Sequence, residues 1–253
     1  MMSATKPIKL YGHQRGPHSW KIVIILKELE LAYEHVFIPF PDMKKAEYLH
    51  LNPNGRAPVI EDPNTGVTIW ESGAIAEYLV ETYDKEAKLT YTTSPEKWSV
   101  KTWELFQVSN QDQYFGQKAY FAMTGNIDHW PSHATQFHTN KNIPTVTAYF
   151  GDEVKRSLGV IDRHLGRTGQ AYLVGVKCTF ADLMYVPFNI ILDSVLFHQE
   201  GFEAEWEAEF PHAYAWHRRL MERKAVKEAL AEKARAEEEM DASGPWAKPY
   251  GAR

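Results

Sequence analysis

Two residue pairs, Pro58-Val59 and Glu71-Ser72, stand on either side of a segment with hairpin character. Together they offer the groups needed to hold a zwitterion. Glu71-Ser72 opens a stretch with helical apolar spacing, so it marks a helix N-terminus, where unpaired N–H groups carry about half a positive charge. A carboxylate fits there, with the Ser72 hydroxyl as a further donor and Glu71 as the anion for a nearby ammonium group. Pro58 precedes a short apolar run and is a candidate cis residue. That geometry would turn the N–H and C=O of Val59 towards a ligand backbone, in the manner of an added strand. The ligand these groups select is a small peptide. Singly, Pro58 reads as an edge-strand proline and Glu71-Ser72 as a helix cap; their order along the chain carries the inference.

The elements that must position these groups follow from periodicity. Ile8 to Tyr11 reads as a strand, Gly12 to Pro17 as a loop, and Ile22, Ile25, Leu26 and Leu29 share one face of a helix. Tyr33 to Ile38 is a second strand. A short helix and the turn Asn52-Pro53-Asn54-Gly55 fill the interval to a third, Pro58 to Glu61. Pro63-Asn64-Thr65-Gly66 then makes a hairpin to Val67-Thr68-Ile69, and the next helix carries Ile75, Tyr78 and Leu79 inward. From Asp84 to Pro95 the apolar rhythm lapses, and beyond it only helical period remains. Trp103, Phe106, Asn110 and Tyr114 line one helical face; Val146, Tyr149, Phe150, Val154, Leu158, Ile161 and Leu165 line another. Phe180 to Phe197 predicts a central buried helix, capped by Thr179 with Asp182 and bent at Pro187. Lys224 to Met240 is a charged helix. The pattern is α+β, βαβαββα over residues 1–85, then an all-helical bundle over 95–245 and a tail over 246–253.

The order of the first domain's groups, Asn52-Pro53-Asn54-Gly55-Arg56-Ala57-Pro58-Val59 before Ile69-Trp70-Glu71-Ser72-Gly73-Ala74-Ile75, resembles the glutathione transferase superfamily. The likeness continues through Phe106-Gln107, Gly116-Gln117, Tyr172-Leu173-Val174-Gly175 to Thr179-Phe180-Ala181-Asp182, and Tyr214-Ala215-Trp216 to Ala225-Val226. Within the superfamily the chain looks most similar to the Nu class and to fungal relatives of the yeast nitrogen-catabolite regulator. The resemblance implies a thioredoxin-like first domain, glutathione as co-substrate or cofactor, and a homodimer. It implies that Val59 pairs with the cysteinyl backbone, that Glu71 and Ser72 hold the γ-glutamyl end, and that Lys44 or Lys45, with Arg56 beside them, meets the glycine carboxylate.

Relatives stabilise the glutathione thiolate with a donor near the first helix, and His18 stands here where the most similar of them carry asparagine. Lowering a thiol from about 8.5 to near 6.5 takes roughly 3 kcal/mol. One charge-assisted hydrogen bond of ~1.5–3 kcal/mol plus a helix N-terminus supplies that. Three donors are candidates: the His18 imidazole, the Tyr11 hydroxyl and the Ser19 hydroxyl. By the same resemblance the helix carrying Tyr114, Gln117 and Tyr120 faces the thiol, and with Gln14 and Arg15 from the loop it forms the expected pocket for a hydrophobic acceptor.

Composition narrows the alternatives. The chain has 253 residues, a formal charge of −5 and one cysteine, Cys178. One cysteine excludes an internal disulfide and a cysteine-based zinc site, and suits a reducing, cytoplasmic compartment. No dense Lys and Arg cluster favours nucleic acid, and no run approaches the roughly 20 apolar residues of a membrane span. His129, His133 and His138 invite a metal, but Pro131 interrupts their helix, and no metal is expected. No surface patch for a second copy is evident. The function expected is addition of the glutathione thiolate to a hydrophobic electrophile, with reversible enone addition, and hence cis/trans isomerisation in secondary metabolism, as a variant. Glutathione-dependent disulfide reduction and a non-catalytic binding module are the alternatives.

Overall fold

A computed structural model describes residues 6–124, 144–192 and 201–242. Its first part is β1 (Ile8–Gly12), α1 (Pro17–Glu28), β2 (Tyr33–Phe37), a 3₁₀ turn (Phe40–Lys44), α2 (Ala46–Leu51), β3 (Val59–Asp62), β4 (Val67–Trp70) and α3 (Ser72–Tyr83). The sheet order is β2-β1-β3-β4, with β1 and β2 parallel and the other pairs antiparallel. Alternation explains β1: Ile8 and Leu10 are buried while Lys9 is exposed. Two parallel neighbours need a crossover, and α1 is that crossover, with Pro17 in its first turn where a missing N–H costs nothing. Ala57-Pro58 is cis, and so is Ser94-Pro95. The hairpin is fixed by Asp62, whose carboxylate accepts from the Asn64 N–H, 2.9 Å, and from the hydroxyls of Tyr78, 2.7 Å, and Tyr83.

The helical part comprises α4 (Glu96–Phe106), a π-helical segment (Gln107–Asp112), α5 (Gln113–Thr124), α6 (Pro144–Thr168), α7 (Phe180–Met184), α8 (Val186–Asn189), α9 (Phe202–Glu209), α10 (Pro211–Met221) and α11 (Lys224–Ala242). One core runs through both parts: Ile22 to Leu26 of α1 are fully buried in the same cluster as Phe180, Ala181, Met184 and Tyr185. This corrects the expectation of a single apolar stripe on α1. The helix packs on β1 and α3 of its own part and on α7, α8 and α11 of the other, so apolar residues are buried all round it. Ion pairs fasten α11 and the residue before it along α1: Arg223 to both Glu28 oxygens, 2.5 and 2.7 Å, and Lys27 to Glu232, 2.9 Å, which also accepts from the Tyr33 hydroxyl, 2.6 Å.

Three further expectations need correction. The buried face leading from α4 into α5 is Trp103, Gln107, Gln111 and Phe115, not Trp103, Phe106, Asn110 and Tyr114. The i→i+5 turns of the π segment widen the helix there and keep positions four apart in line. Tyr149 is 55 % exposed, because Phe150 takes the inward place by stacking on Phe121, with ring centroids 5.6 Å apart. The stretch from Phe180 is buried throughout to Asn189, but it is broken at Tyr185 into two short helices, since Pro187 has no N–H to continue the first. Its cap is as expected, with Asp182 and Thr179 bonded reciprocally. Beyond Asn189, Leu192 is buried too, and residues 193–197 lie outside the described residues.

Candidate functional site

Gly12 ends β1 where a Cβ would lie 2.4 Å from Ser19 Oγ and 2.5 Å from His35 Nε2, so only glycine fits. The loop that follows is held by its own bonds. His13 donates its N–H to Ser19 Oγ, 3.3 Å, accepts the Gly16 N–H at its carbonyl, 3.1 Å, and accepts the Arg15 N–H at Nδ1, 3.2 Å. Its ring stacks on Phe40 at 3.9 Å, and burial, with the Arg15 charge, lowers its pKa to about 4. The Trp20 indole donates to the Gln14 carbonyl, 2.7 Å. These bonds set His18 in the first turn of α1.

Around that turn three elements converge. His18 Nδ1 lies 3.2 Å from Asp112 Oδ2 on the π segment, and its ring meets Phe188 of α8 edge-on at 5.3 Å. Lys21 has no exposed surface, and its ammonium donates to Asp112 Oδ2, 2.9 Å, Gln107 Oε1, 2.8 Å, and Ser72 Oγ, 3.1 Å. Burial works to raise the Asp112 carboxyl, yet the charges of Lys21 and His18 hold it well below the usual carboxylate range. For Lys21 burial lowers the ammonium, opposed by Asp112 and Glu71. From Gln107 the polar chain continues to Gln111, 2.9 Å, Asn189, 2.7 Å, and His217, 3.4 Å. One buried cation thus joins the start of α1, the start of α3 and the second domain.

Ser72 is the first residue of α3 and is buried, while Glu71 before it is exposed and has φ +73°, a conformation few non-glycine residues hold without strain. Val59, after the cis bond, pairs with Tyr11 and Trp70. Lys44 donates to the Gly55 carbonyl, 2.8 Å, so it is bound to the turn that leads into the cis proline. Arg56 extends into solvent, and its carbonyl accepts from Tyr48, 2.9 Å, and Asn52, 2.6 Å.

The three candidate donors sit in different surroundings. Tyr11 donates its hydroxyl to Glu61, and burial together with that carboxylate pushes its pKa up to about 12. Ser19 is 1 % exposed beneath the loop, and its hydroxyl oxygen accepts the His13 N–H. His18 keeps a 38 % exposed side chain, and among the described residues its polar contact is that of Nδ1 with Asp112. Arg15 pairs with Asp241 of α11, which ties the loop to that helix. Tyr114 and Gln117 are half-buried on α5, with the Arg156 guanidinium 5.5 Å from the Tyr114 ring; Phe115 belongs to the core. Tyr120 is on α5, its side chain outside the described residues, as are His129, His133, His138 and Trp246. Cys178 is buried, and burial pushes its thiol well up, as expected of an inert thiol. Sequence reasoning missed Lys21 and Asp112. A lone charge inside Trp20-Lys21-Ile22-Val23-Ile24-Ile25-Leu26 was the available signal, since a buried ammonium demands a partner.

Among known proteins, the model of the glutathione S-transferase N-terminal domain matches residues 6–81, and that of the C-terminal domain matches residues 129–233. The glutathione S-transferase-like protein OpS6 of Beauveria bassiana is 40% identical over 92% of this chain and 99% of its own. The solved structure of glutathione transferase URE2P6 from Phanerochaete chrysosporium, in complex with oxidized glutathione, superposes with a TM-score of 0.79 at 36% identity, covering 91% of this chain and 98% of that one. Ure2p5 from the same organism, cocrystallized with 1-(S-glutathionyl)-2,4-dinitrobenzene, gives 0.79 at 33%, covering 94% and 99%. With both of its parts matched and relatives alike over nearly their full lengths, the chain belongs to the glutathione S-transferase family.

Proposed function

We propose that this chain binds glutathione along β3 and the start of α3 and adds its thiolate to an electrophilic, hydrophobic small molecule. The observation that carries the reading is the convergence of His18, Lys21 and Ser72 at the N-termini of α1 and α3. Two helix starts favour anions, one for the γ-glutamyl carboxylate and one for the sulfur. Glu71 faces solvent as the partner for the ammonium group, and Lys44 and Arg56 lie towards the glycine end. The half-buried Tyr114 and Gln117 border the acceptor. The conjugate in the Ure2p5 structure and the glutathione disulfide in the URE2P6 structure support a site of this kind. Rate enhancement comes from proximity in the cleft and from the activated nucleophile.

Oxidized glutathione in that relative also favours a second reaction, disulfide exchange. Cys178 is buried, so the attacking thiolate would be glutathione's own. It would displace one sulfur of the disulfide as thiol, and a second glutathione would resolve the mixed disulfide into oxidized glutathione and the other thiol. The chain is further read as a cytoplasmic homodimer. Trp98 and Leu105, two turns apart on α4, are 63% and 53% exposed and offer apolar surface to a second copy. Among the described residues no helix is long and apolar enough to cross a membrane.

Titration with glutathione, following thiolate absorbance against pH, tests the reading. A bound thiol ionising below neutrality, with an electrophile consumed as its conjugate, is the expected result. Recovery of unchanged glutathione with a geometrically isomerised enone would identify the reversible variant. Binding without turnover of electrophile or disulfide would leave a regulatory module, and failure to be retained by immobilised glutathione would sink the reading altogether.

A further inference from the structure

The geometry points to Asp112 as a positioning residue for sulfur activation: held by Lys21, it fixes the His18 imidazole through Nδ1 so that Nε2 takes the proton of the glutathione thiol. This rests on the glutathione reading above and adds to it the second domain's share in making the nucleophile.

The first observation is the backbone of the π segment. In an α-helix residues five apart point about 140° away from one another. Gln107 and Asp112 are five apart, yet both bond the single ammonium of Lys21, at 2.8 and 2.9 Å. The i→i+5 turns bring them to one side, and π segments of this kind recur where a side chain must be re-aimed at a functional site. The second is the division of labour on one oxygen. Asp112 Oδ2 meets both the Lys21 ammonium and His18 Nδ1, 3.2 Å. A carboxylate at Nδ1 selects the tautomer with its hydrogen there, which leaves a lone pair on Nε2. The third is restraint: the Phe188 ring stands edge-on to the imidazole at 5.3 Å and 4.9 Å from the Lys21 ammonium, closing the far side with apolar surface.

The charges balance through the step. Lys21 offsets Asp112 before any ligand arrives. The S–H bond breaks, an Nε2–H bond forms, and a neutral pair becomes thiolate and imidazolium with no net change. The imidazolium is then stabilised by the carboxylate behind it. After the thiolate has added to an electrophilic carbon, the same proton is available to the carbanion or leaving group. The charged groups facing this unit are Lys21 from α1, Asp112 from the π segment and Glu71 from the turn before α3, which acts on Lys21.

The test is the ionisation of glutathione bound to the full chain, by thiolate absorbance across pH, with glutathione affinity measured in parallel. Asp112→Asn should raise the bound thiol pKa by about one unit or more and slow conjugation near neutrality by ~10- to 100-fold. Glutathione affinity should stay within ~3-fold. Asp112→Glu, which keeps the charge should the Asn variant fold poorly, should recover part of the shift. In a His18→Asn background, Asp112→Asn should move the thiol no further. An unmoved thiol in Asp112→Asn would overturn the assignment. So would an equal shift in the His18→Asn background, because Asp112 would then act through Lys21 and Ser72. Failure of the unaltered chain to bind glutathione would instead sink the reading on which it rests.

Discussion

Asp112, largely buried with a 17 % exposed side chain, and Asp182, fully buried, are both carboxylates of the helical half, but they are satisfied in different ways. Asp182 is fully buried and takes only neutral donors: the N–H of Leu173, 2.8 Å, the N–H and hydroxyl of Thr179, both 2.8 Å, and the Trp216 indole, 2.9 Å. Among the described residues no cation pairs with it, and burial holds its carboxyl above the ordinary range. Asp112 takes a buried ammonium and a half-exposed imidazole instead, and is held well below that range. A carboxylate whose acceptor sites are all taken by its own fold can only hold that fold together. One that shares an oxygen between a fixed cation and a titratable ring can pass charge on to a ligand.

The comparison breaks most readily at Asp182. Asp182→Ala strands several buried donors, each costing ~1–3 kcal/mol, so urea unfolding should show a loss of more than ~3 kcal/mol. Asp112→Asn should cost well under half of that, because Lys21 keeps Gln107 and Ser72 as acceptors. Equal losses for the two would mean that Asp112 is a second structural knot.

A third buried carboxylate sharpens the contrast. Glu104 is 3 % exposed, and burial, with Glu77 nearby, lifts its pKa to about 7 against the partial relief of Lys101. Its folded form therefore binds a proton more readily than the unfolded chain, and its contribution to stability falls as pH rises from about 4.5 to 7. Glu104→Gln should gain on the unaltered chain by about 1–2 kcal/mol between pH 5 and 8, read from unfolding midpoints at each pH. A gap that stays constant with pH would refute this. His35 works in the opposite sense: burial, opposed by Glu232, brings its pKa to about 4, so the unfolded chain takes up the proton first and stability falls as pH drops from 6.5 to 4. His35→Phe should flatten that acid limb by ~1 kcal/mol per pH unit. The smallest effect is expected at Tyr11. Its hydroxyl is committed to Glu61, so Tyr11→Phe should leave the bound thiol pKa in place, and a shift as large as that of Asp112→Asn would restore it as the donor.

The sheet and the start of α3 were legible because their signals are local. Alternation in Ile8 to Tyr11, the Pro63-Asn64-Thr65-Gly66 turn and the Glu71-Ser72 cap each report on a few adjacent residues. The π segment was not legible, since a change from i→i+4 to i→i+5 bonding leaves no compositional mark in Gln107-Val108-Ser109-Asn110-Gln111-Asp112. Reading it as regular α-helix put Phe106 and Tyr114 on the buried face in place of Gln107 and Phe115, and hid the partner of Lys21. The bond that engages the Tyr11 hydroxyl was hidden for a different reason. Tyr11 lies opposite Val59, which places Glu61 two residues along the same face, and a cross-strand bond of that kind needs the register before it can be seen.

The covering of α1 from both sides has a consequence for how the chain is made. Its outer face waits for α7, which begins at Phe180, and for α11, which ends at Ala242. At ordinary rates of synthesis that leaves an apolar helix uncovered on the nascent chain for on the order of ten seconds. The first 85 residues released alone would keep it so permanently, and that fragment should aggregate while the full chain stays in solution.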